Sequence, residues 1–467
     1  MFDSSIYIQR RDRLKEQIKS GMILFWGNEE SPMNYPQNPY HFRQDSTFLY
    51  FFGLDFPSLA GVIDIDDNKD IVFGDDVDIE DIIWMGYQPS LKERAEQSGI
   101  KNTVPLDHLE MTVKQAIQQG KKIHYLPLYR PETKLKISHL LGFSPDVTQG
   151  NASEELIKAV VDQRSIKTKE EIEEMEKAHA ITYEIHTTAM RMAKPGVYEK
   201  EIVGIMEGII LSHGCFPAFP TILTINGQIL HNHYYGNVLK EGRLLVNDSG
   251  AESELHYAAD ITRTFPIGGK FNQKQKEIYE IVHDSQEKAI QSIKPGLKYR
   301  EIHLETAKNI ATGLKELGLM KSDIEDALRE GAHALFFPHG IGHMIGLDVH
   351  DMEDLGEDFV GYDETTKRSD QFGFAYLRLA RELQPGFVVT VEPGIYFIPA
   401  LIDKWKDEHK FTQFIDYDKV EEYRNFGGIR IEDNVLVTDR GHKILGKSIP
   451  KSVKELEGIT ATGRLKT

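Results

Sequence analysis

The chain has 467 residues, 40% hydrophobic and 27% charged, the composition of an ordinary globular protein long enough for two or three domains. Its 55 Lys and Arg against 73 Asp and Glu give a net charge of −18, which repels polyanions, argues against nucleic-acid binding and favours cations. No apolar run reaches the roughly eighteen residues of a membrane span. The start, Met1 to Ser5 followed by Arg10, Arg11, Arg13 and Lys15, lacks a signal peptide's apolar stretch, so a cytoplasmic protein with no membrane partner is expected. Cys215 is the single cysteine; it excludes an intrachain disulfide and reads as a small buried side chain.

The pattern predicts a helix over 6–19 and a strand over 22–26 stopped by Gly27, then strands over 59–65 and 70–73, a helix over 109–119 and a strand over 122–126. This is a small α/β domain whose aromatic stretch 41–53 reads as core. Thr168 followed by Glu171 is a capping box opening a helix, so the domains are read as 1–165 and 166–467. Ile172, Met175, Ala178, Ile185, Ala189 and Met192 mark that helix's buried face, and Pro195-Gly196 ends it. The acidic run Glu170, Glu171, Glu173, Glu174 reads as a solvated face. Lys194-Pro195-Gly196-Val197-Tyr198-Glu199-Lys200-Glu201-Ile202 is echoed by Lys294-Pro295-Gly296-Leu297-Lys298-Tyr299-Arg300-Glu301-Ile302, each following one predicted helix and opening another.

The stretch 336–351 gathers His339, His343, His350, Asp348 and Asp351 among glycines. Two histidines four apart suggest a metal-binding helix face, but Gly340 and Gly342 each cost about 1 kcal/mol in a helix interior, so a bent loop and strand is predicted. Four carboxylates stand in apolar or glycine-flanked contexts. Asp248 and Asp260 read as strand residues of one hairpin, and Glu392 and Glu432 interrupt β-branched runs.

The order Asp248, Asp260, His343, Glu392, Glu432, the phrases DITRTFP, PHGIGHMIGLDVHD, TVEPGIYF and GGIRIEDN, and Ile229-Leu230-His231 upstream resemble the metallopeptidases of the creatinase, or pita-bread, fold, and among them the aminopeptidase P and prolidase branch. The resemblance implies an α/β (α+β) protein: a catalytic domain of two pseudo-symmetric halves behind a smaller α/β domain that mediates dimer contacts and shapes the mouth of the site, hence a homodimer. Four carboxylates and one imidazole balance two divalent cations. The oxygen-rich set suits Mn²⁺, the family's usual metal, and its one nitrogen also admits Co²⁺, Zn²⁺ or Fe²⁺. By resemblance Asp248 binds one ion, His343 and Glu392 the other, and Asp260 and Glu432 bridge them. Glu392 also accepts the proton of the attacking water, Arg430 orients Glu432 from the same strand face, and His231 and His350 face the substrate carbonyl; His339 packs or contacts substrate. His233 reads as an exposed strand-end residue.

The implied substrates are proline-containing di- or oligopeptides, cut between the first residue and proline. Arg378, in Leu377-Arg378-Leu379-Ala380-Arg381, looks like the prolidase arginine that holds the substrate carboxylate, and the insertion 399–426 also resembles prolidases. An Xaa-Pro dipeptidase is therefore expected. The alternative is an Xaa-Pro aminopeptidase, in which the amino-terminal domain and DITRTFP are equally at home. A non-catalytic pita-bread binding protein is disfavoured by the presence of all five ligand residues.

Overall fold

Burial on both faces of its first strand builds the amino-terminal unit. In strand β1 (Met22–Trp26), Met22 and Leu24 lie on one face and Ile23 and Phe25 on the other, and all four are buried, so β1 is covered on both sides. In the computed structural model, which describes residues 1–462, β1 pairs antiparallel with β2 (Ala60–Asp64), and β2 antiparallel with β3 (Lys69–Phe73). Strands β4 (Asn102–Val104) and β5 (Ile123–His124) add in parallel, giving the order β4-β3-β2-β1-β5. Met22, Leu24, Val62 and Phe73 pack with Leu109, Val113 and Ala116. On the other face Phe25 stacks on Phe51 with ring centroids 5.0 Å apart. The aromatic stretch is core from Ser46 to Phe52, a helix with every residue buried and capped by the Asp45 side chain on the Phe48 N–H, whereas His41 is exposed and Phe42 half-buried. The strand predicted over 122–126 shrinks to two residues, since Tyr125 and Leu126 are buried by packing without a ladder partner.

Chain packing separates Met1–Arg164 with Met352–Phe359 from Ser165–Asp351 with residues 360 onward. The second unit opens with the helix Lys169–Met192, whose Thr168–Glu171 capping box is present in both directions. Met175, Ala178, Ile185, Ala189 and Met192 are buried, while Ile172 is only half-buried. The acidic run is not a plain solvated face. Glu170 and Glu173 are exposed, but Glu171 and Glu174 are buried, and Glu171 accepts from the Tyr257 hydroxyl at 2.9 Å.

The nine-residue echo has a structural meaning. The helices Glu199–Ser212 and Tyr299–Glu316 each start at the same place in the repeat, and each start pairs through its backbone with one extended segment. Gly196 donates to the Leu239 carbonyl, Leu239 to that of Val197, and Glu199 to that of Asn237, at 2.9, 2.8 and 3.0 Å. In the second half Gly296 donates to Leu383, Leu383 to Leu297, and Tyr299 to Arg381, at 2.9, 3.0 and 3.0 Å. The first segment leads back to His231, the second to Arg378.

Each half also carries a three-stranded sheet. The first is β6 (Ile222–Thr224), β7 (Leu244–Ser249) and β8 (Ile261–Pro266), all antiparallel. The second has β9 (Val388–Val391) and, beyond the antiparallel pair β10 (Gly394–Tyr396) and β11 (Gly428–Arg430), strands β12 (Asp433–Val437) and β13 (His442–Ile444), in the order β13-β12-β9.

Candidate metal centre

Three of the four carboxylates sit at strand ends rather than within strands. Asp248 is in the β7 ladder, opposite Ile222 and Thr262. Asp260 precedes β8, and its peptide N–H and carbonyl are taken by the Asn434 side chain at 2.9 and 2.7 Å, so a side chain replaces the strand partner. Glu392 follows β9 and is itself followed by Pro393, which has no N–H to continue a ladder. Glu432 lies between β11 and β12, its N–H donating to the Thr262 carbonyl at 3.0 Å.

His343 comes from the glycine-rich stretch, which is a loop with a single bridge, Met344 to Val389, instead of the predicted loop and strand. The glycine at 342 is needed for close approach: a Cβ there would meet the Thr390 carbonyl oxygen at 2.1 Å. Thr390 binds this loop from β9. It gives its N–H to the His343 carbonyl at 2.9 Å and accepts the His343 N–H on Oγ1 at 3.0 Å. The imidazole Nδ1 lies 2.9 Å from the Met344 carbonyl, which selects the tautomer protonated there and leaves the Nε2 lone pair facing the carboxylates. Nε2 is 3.4 Å from Asp260 Oδ2 and 3.5 Å from Glu392 Oε1. Ligand atoms of Asp260, His343 and Glu432 all lie within 4.8 Å of one another, and Asp248 meets the Asp260 carboxyl directly.

The donor set fits a cation. Asp248 Oδ1, Asp260 Oδ1 and Glu432 Oε1 are buried with no hydrogen-bond partner, a cost of about 1 to 3 kcal/mol each if nothing else met them. Burial first, and then the charge of the neighbouring carboxylates, pushes Asp260 and Glu432 well above the usual carboxylate range, and burial raises Glu392. Arg430 is the guanidinium inside this cluster, donating to Asp248 Oδ2 at 2.6 Å, to Thr262 Oγ1 at 3.1 Å and to the Tyr396 hydroxyl at 2.8 Å. It reaches Glu432 only through Thr262, whose hydroxyl donates to Glu432 Oε2 at 2.7 Å. Arg430 therefore bears on Glu432 through Thr262 and holds Asp248 directly.

The remaining predicted residues surround this cluster. The His350 ring is 4.4 Å from that of His343, tilted by 71°. His231 is exposed; partial desolvation first, and then Arg430, hold its pKa below the usual histidine value. Arg378 lies near enough to act on both His231 and His339. His339 has both ring nitrogens engaged, Nδ1 with the Gly340 carbonyl at 2.8 Å and Nε2 with the Tyr396 hydroxyl at 2.9 Å. Burial, followed by Arg430, lowers its pKa to about 3, so it is a neutral link in the series Arg430, Tyr396, His339. His233 is exposed in a loop.

Four supporting residues escaped the sequence reading: Thr262, Thr390, Tyr396 and Asn434. The threonines leave a trace in the spacing, since Thr390 and Glu392 are two apart on one strand face and the Thr390 hydroxyl donates to Glu392 Oε1 at 3.2 Å.

A family model described as metallopeptidase family M24 matches residues 173–439, and one described as the aminopeptidase P N-terminal domain matches 7–125. The chain is 29% identical to the Xaa-Pro aminopeptidase of Escherichia coli, with 98% of this chain and 97% of that protein covered. It is 29% identical to the human Xaa-Pro dipeptidase, over 98% and 93% of the two chains. It is 32% identical to a probable Xaa-Pro aminopeptidase of Aspergillus clavatus, over 95% and 93%. Among solved structures, E. coli aminopeptidase P with the inhibitor Pro-Leu superposes with a TM-score of 0.81 at 29% identity over 99% of each chain. The zinc-substituted form of that enzyme with product gives 0.81 at 30% identity over 100% of each. With the matched region spanning the cluster and its supporting strands, the chain belongs to metallopeptidase family M24.

Proposed function

We propose that this protein is a two-metal peptidase that hydrolyses the bond between an amino-terminal residue and proline, acting on Xaa-Pro dipeptides. The unpartnered inward oxygens of Asp248, Asp260 and Glu432 carry the metal reading, and the proximity of Arg378 to His231 carries the dipeptidase reading. Asp248 would hold one ion, His343 and Glu392 the other, and Asp260 and Glu432 both, with Mn²⁺ the metal and Co²⁺, Zn²⁺ or Fe²⁺ as alternatives. Bound ions supply Lewis acidity toward the scissile carbonyl and a water acidic enough to attack near neutral pH.

The protein's own groups do the rest. Glu392, with Oε1 held by the Thr390 hydroxyl, takes the proton of the attacking water on its carboxylate. His231 and His350 donate to the carbonyl oxygen as it becomes an oxyanion and help protonate the leaving proline nitrogen. Arg378 pairs with the free carboxylate of a dipeptide. With both its nitrogens engaged, His339 positions Tyr396 and Arg430 and does not contact substrate. The catalytic domain is taken as 166–467, the domain 1–165 as the dimer-forming part of a cytoplasmic homodimer.

The second reading is an Xaa-Pro aminopeptidase, favoured by the full-length likeness to E. coli aminopeptidase P. A product assay on Ala-Pro beside Ala-Pro-Ala decides between them. The dipeptidase reading expects Ala-Pro to be cleaved and Ala-Pro-Ala to be a poor substrate; equal cleavage of both would replace it with the aminopeptidase.

A further inference from the structure

Glu199 is the first residue of its helix and is 0% exposed. A glutamate there would ordinarily sit in solvent, favoured by the helix dipole. Here its carboxylate is turned inward and meets neutral donors: Oε1 accepts the Ile225 N–H at 2.8 Å, and Oε2 accepts the Asn237 N–H at 3.2 Å and Asn237 Nδ2 at 2.9 Å. These donors are the two ends of one loop, 225–237, with His231 midway between them. The Thr224 hydroxyl also bonds to Glu199, and its oxygen accepts Asn232 Nδ2 at 2.9 Å, so a continuous path runs from Glu199 to the residue beside His231.

The internal repeat supports a role tied to the site. The residue at the same place in the second half is Tyr299, also first in its helix and 0% exposed, and its hydroxyl donates to the carbonyl of Thr390, the residue that holds His343 and Glu392. At equivalent positions, then, both halves send a buried polar side chain from a helix start to a segment bearing site residues.

We propose that Glu199 is a positioning residue for the reaction, its carboxylate closing both ends of the 225–237 loop so that His231 stands over the scissile carbonyl. The proposal rests on His231 contacting substrate, as argued above. Glutamine is the informative replacement, because it keeps size and one acceptor but turns an NH₂ toward N–H donors. Burial holds the Glu199 pKa above the ordinary value, and the three N–H donors keep the ionised form satisfied.

The test compares wild type, Glu199→Gln, Glu199→Asp, His231→Ala and the double variant Glu199→Gln/His231→Ala on Ala-Pro, with metal content measured for each. Glu199→Gln should lower kcat/KM by about 10²-fold, in kcat more than in KM, with metal content unchanged, because displacement of a catalytic group by about 1 Å has that scale of effect. Glu199→Asp should recover part of the loss. In the His231→Ala background Glu199→Gln should add nothing, since its effect passes through that ring. Losses that multiply in the double variant, or a Glu199→Gln enzyme with wild-type kcat, overturn the proposal. If His231→Ala itself has wild-type kcat, the substrate-contact reading fails, and the positioning role falls with it. Should Glu199→Gln not fold, hydrogen exchange of wild type decides: the Ile225 and Asn237 amides should be protected, and exchange at unprotected rates overturns the clamp.

Discussion

Arg430 Nη2 donates to Asp248 Oδ2 at 2.6 Å, while Asp248 Oδ1, equally buried, has no hydrogen-bond partner. The arginine thus fixes one oxygen and leaves the other without a hydrogen-bond partner, as an outer partner that orients a metal ligand would. Arg430→Lys keeps the charge but cannot reach Asp248, Thr262 and Tyr396 together. Metal affinity should fall about 10- to 100-fold, read by competition with a chelating dye. Unchanged affinity would show that Asp248 needs no orienting partner.

Removal of a shared ligand should differ in kind from removal of a substrate contact. Asp260→Ala or Glu432→Ala is expected to abolish activity together with metal binding, because each leaves the remaining carboxylates without the geometry for a second ion. His350→Ala should depress turnover with both ions retained, since its ring adjoins His343 at 4.4 Å but is assigned no ligand atom. Elemental analysis of the three purified variants checks this, and a His350→Ala protein emptied of metal contradicts the assigned roles.

Much of this carboxylate and histidine cluster was readable in the sequence because only a few residue types can hold a cation, and here they stand in short phrases where an apolar strand admits one carboxylate. The aromatic stretch, the capping box and β1 were legible for a similar reason: burial period and cap chemistry are local. What was not legible depends on long-range contacts. Glu199 looks like any first-turn acid, and only the fold brings Ile225 and Asn237 to it. Arg263 stands within a recognisable phrase, but its carbonyl contacts at Glu432 and Ile449 and its 2.6 Å pair with Asp433 come from chain far downstream. Asp260 and Glu432 read as in-strand because periodicity does not reveal that Asn434 and Thr262 substitute for ladder partners.

The Lys167–Asp351 pair anchors the turn that carries His350. Nζ to Oδ2 is 2.8 Å and each side chain is 1% exposed, so this pair is not a screened surface contact. Lys167→Met breaks this buried ion pair from one side, and stability should drop by roughly 3 to 5 kcal/mol. Chemical denaturation checks it; a loss below about 1 kcal/mol, the scale of a surface pair, would contradict the burial argument.

Arg378→Ala tests substrate-carboxylate recognition. A charge-assisted hydrogen bond contributes about 1.5 to 3 kcal/mol, so KM for Ala-Pro should rise about tenfold or more while KM for Ala-Pro-amide, which lacks the carboxylate, stays as it was. Equal effects on both substrates would assign Arg378 to packing instead.

Hydrolysis should depend on a two-ion centre built from Asp248, Asp260, His343, Glu392 and Glu432. The most direct test of this dependence is to strip the wild-type protein with a chelator, titrate Mn²⁺ back, and follow Ala-Pro hydrolysis and bound metal together. The stripped protein should have no activity, and full activity should return as occupancy reaches two ions per chain. Activity that survives thorough chelation, with no metal found in the protein, would contradict it.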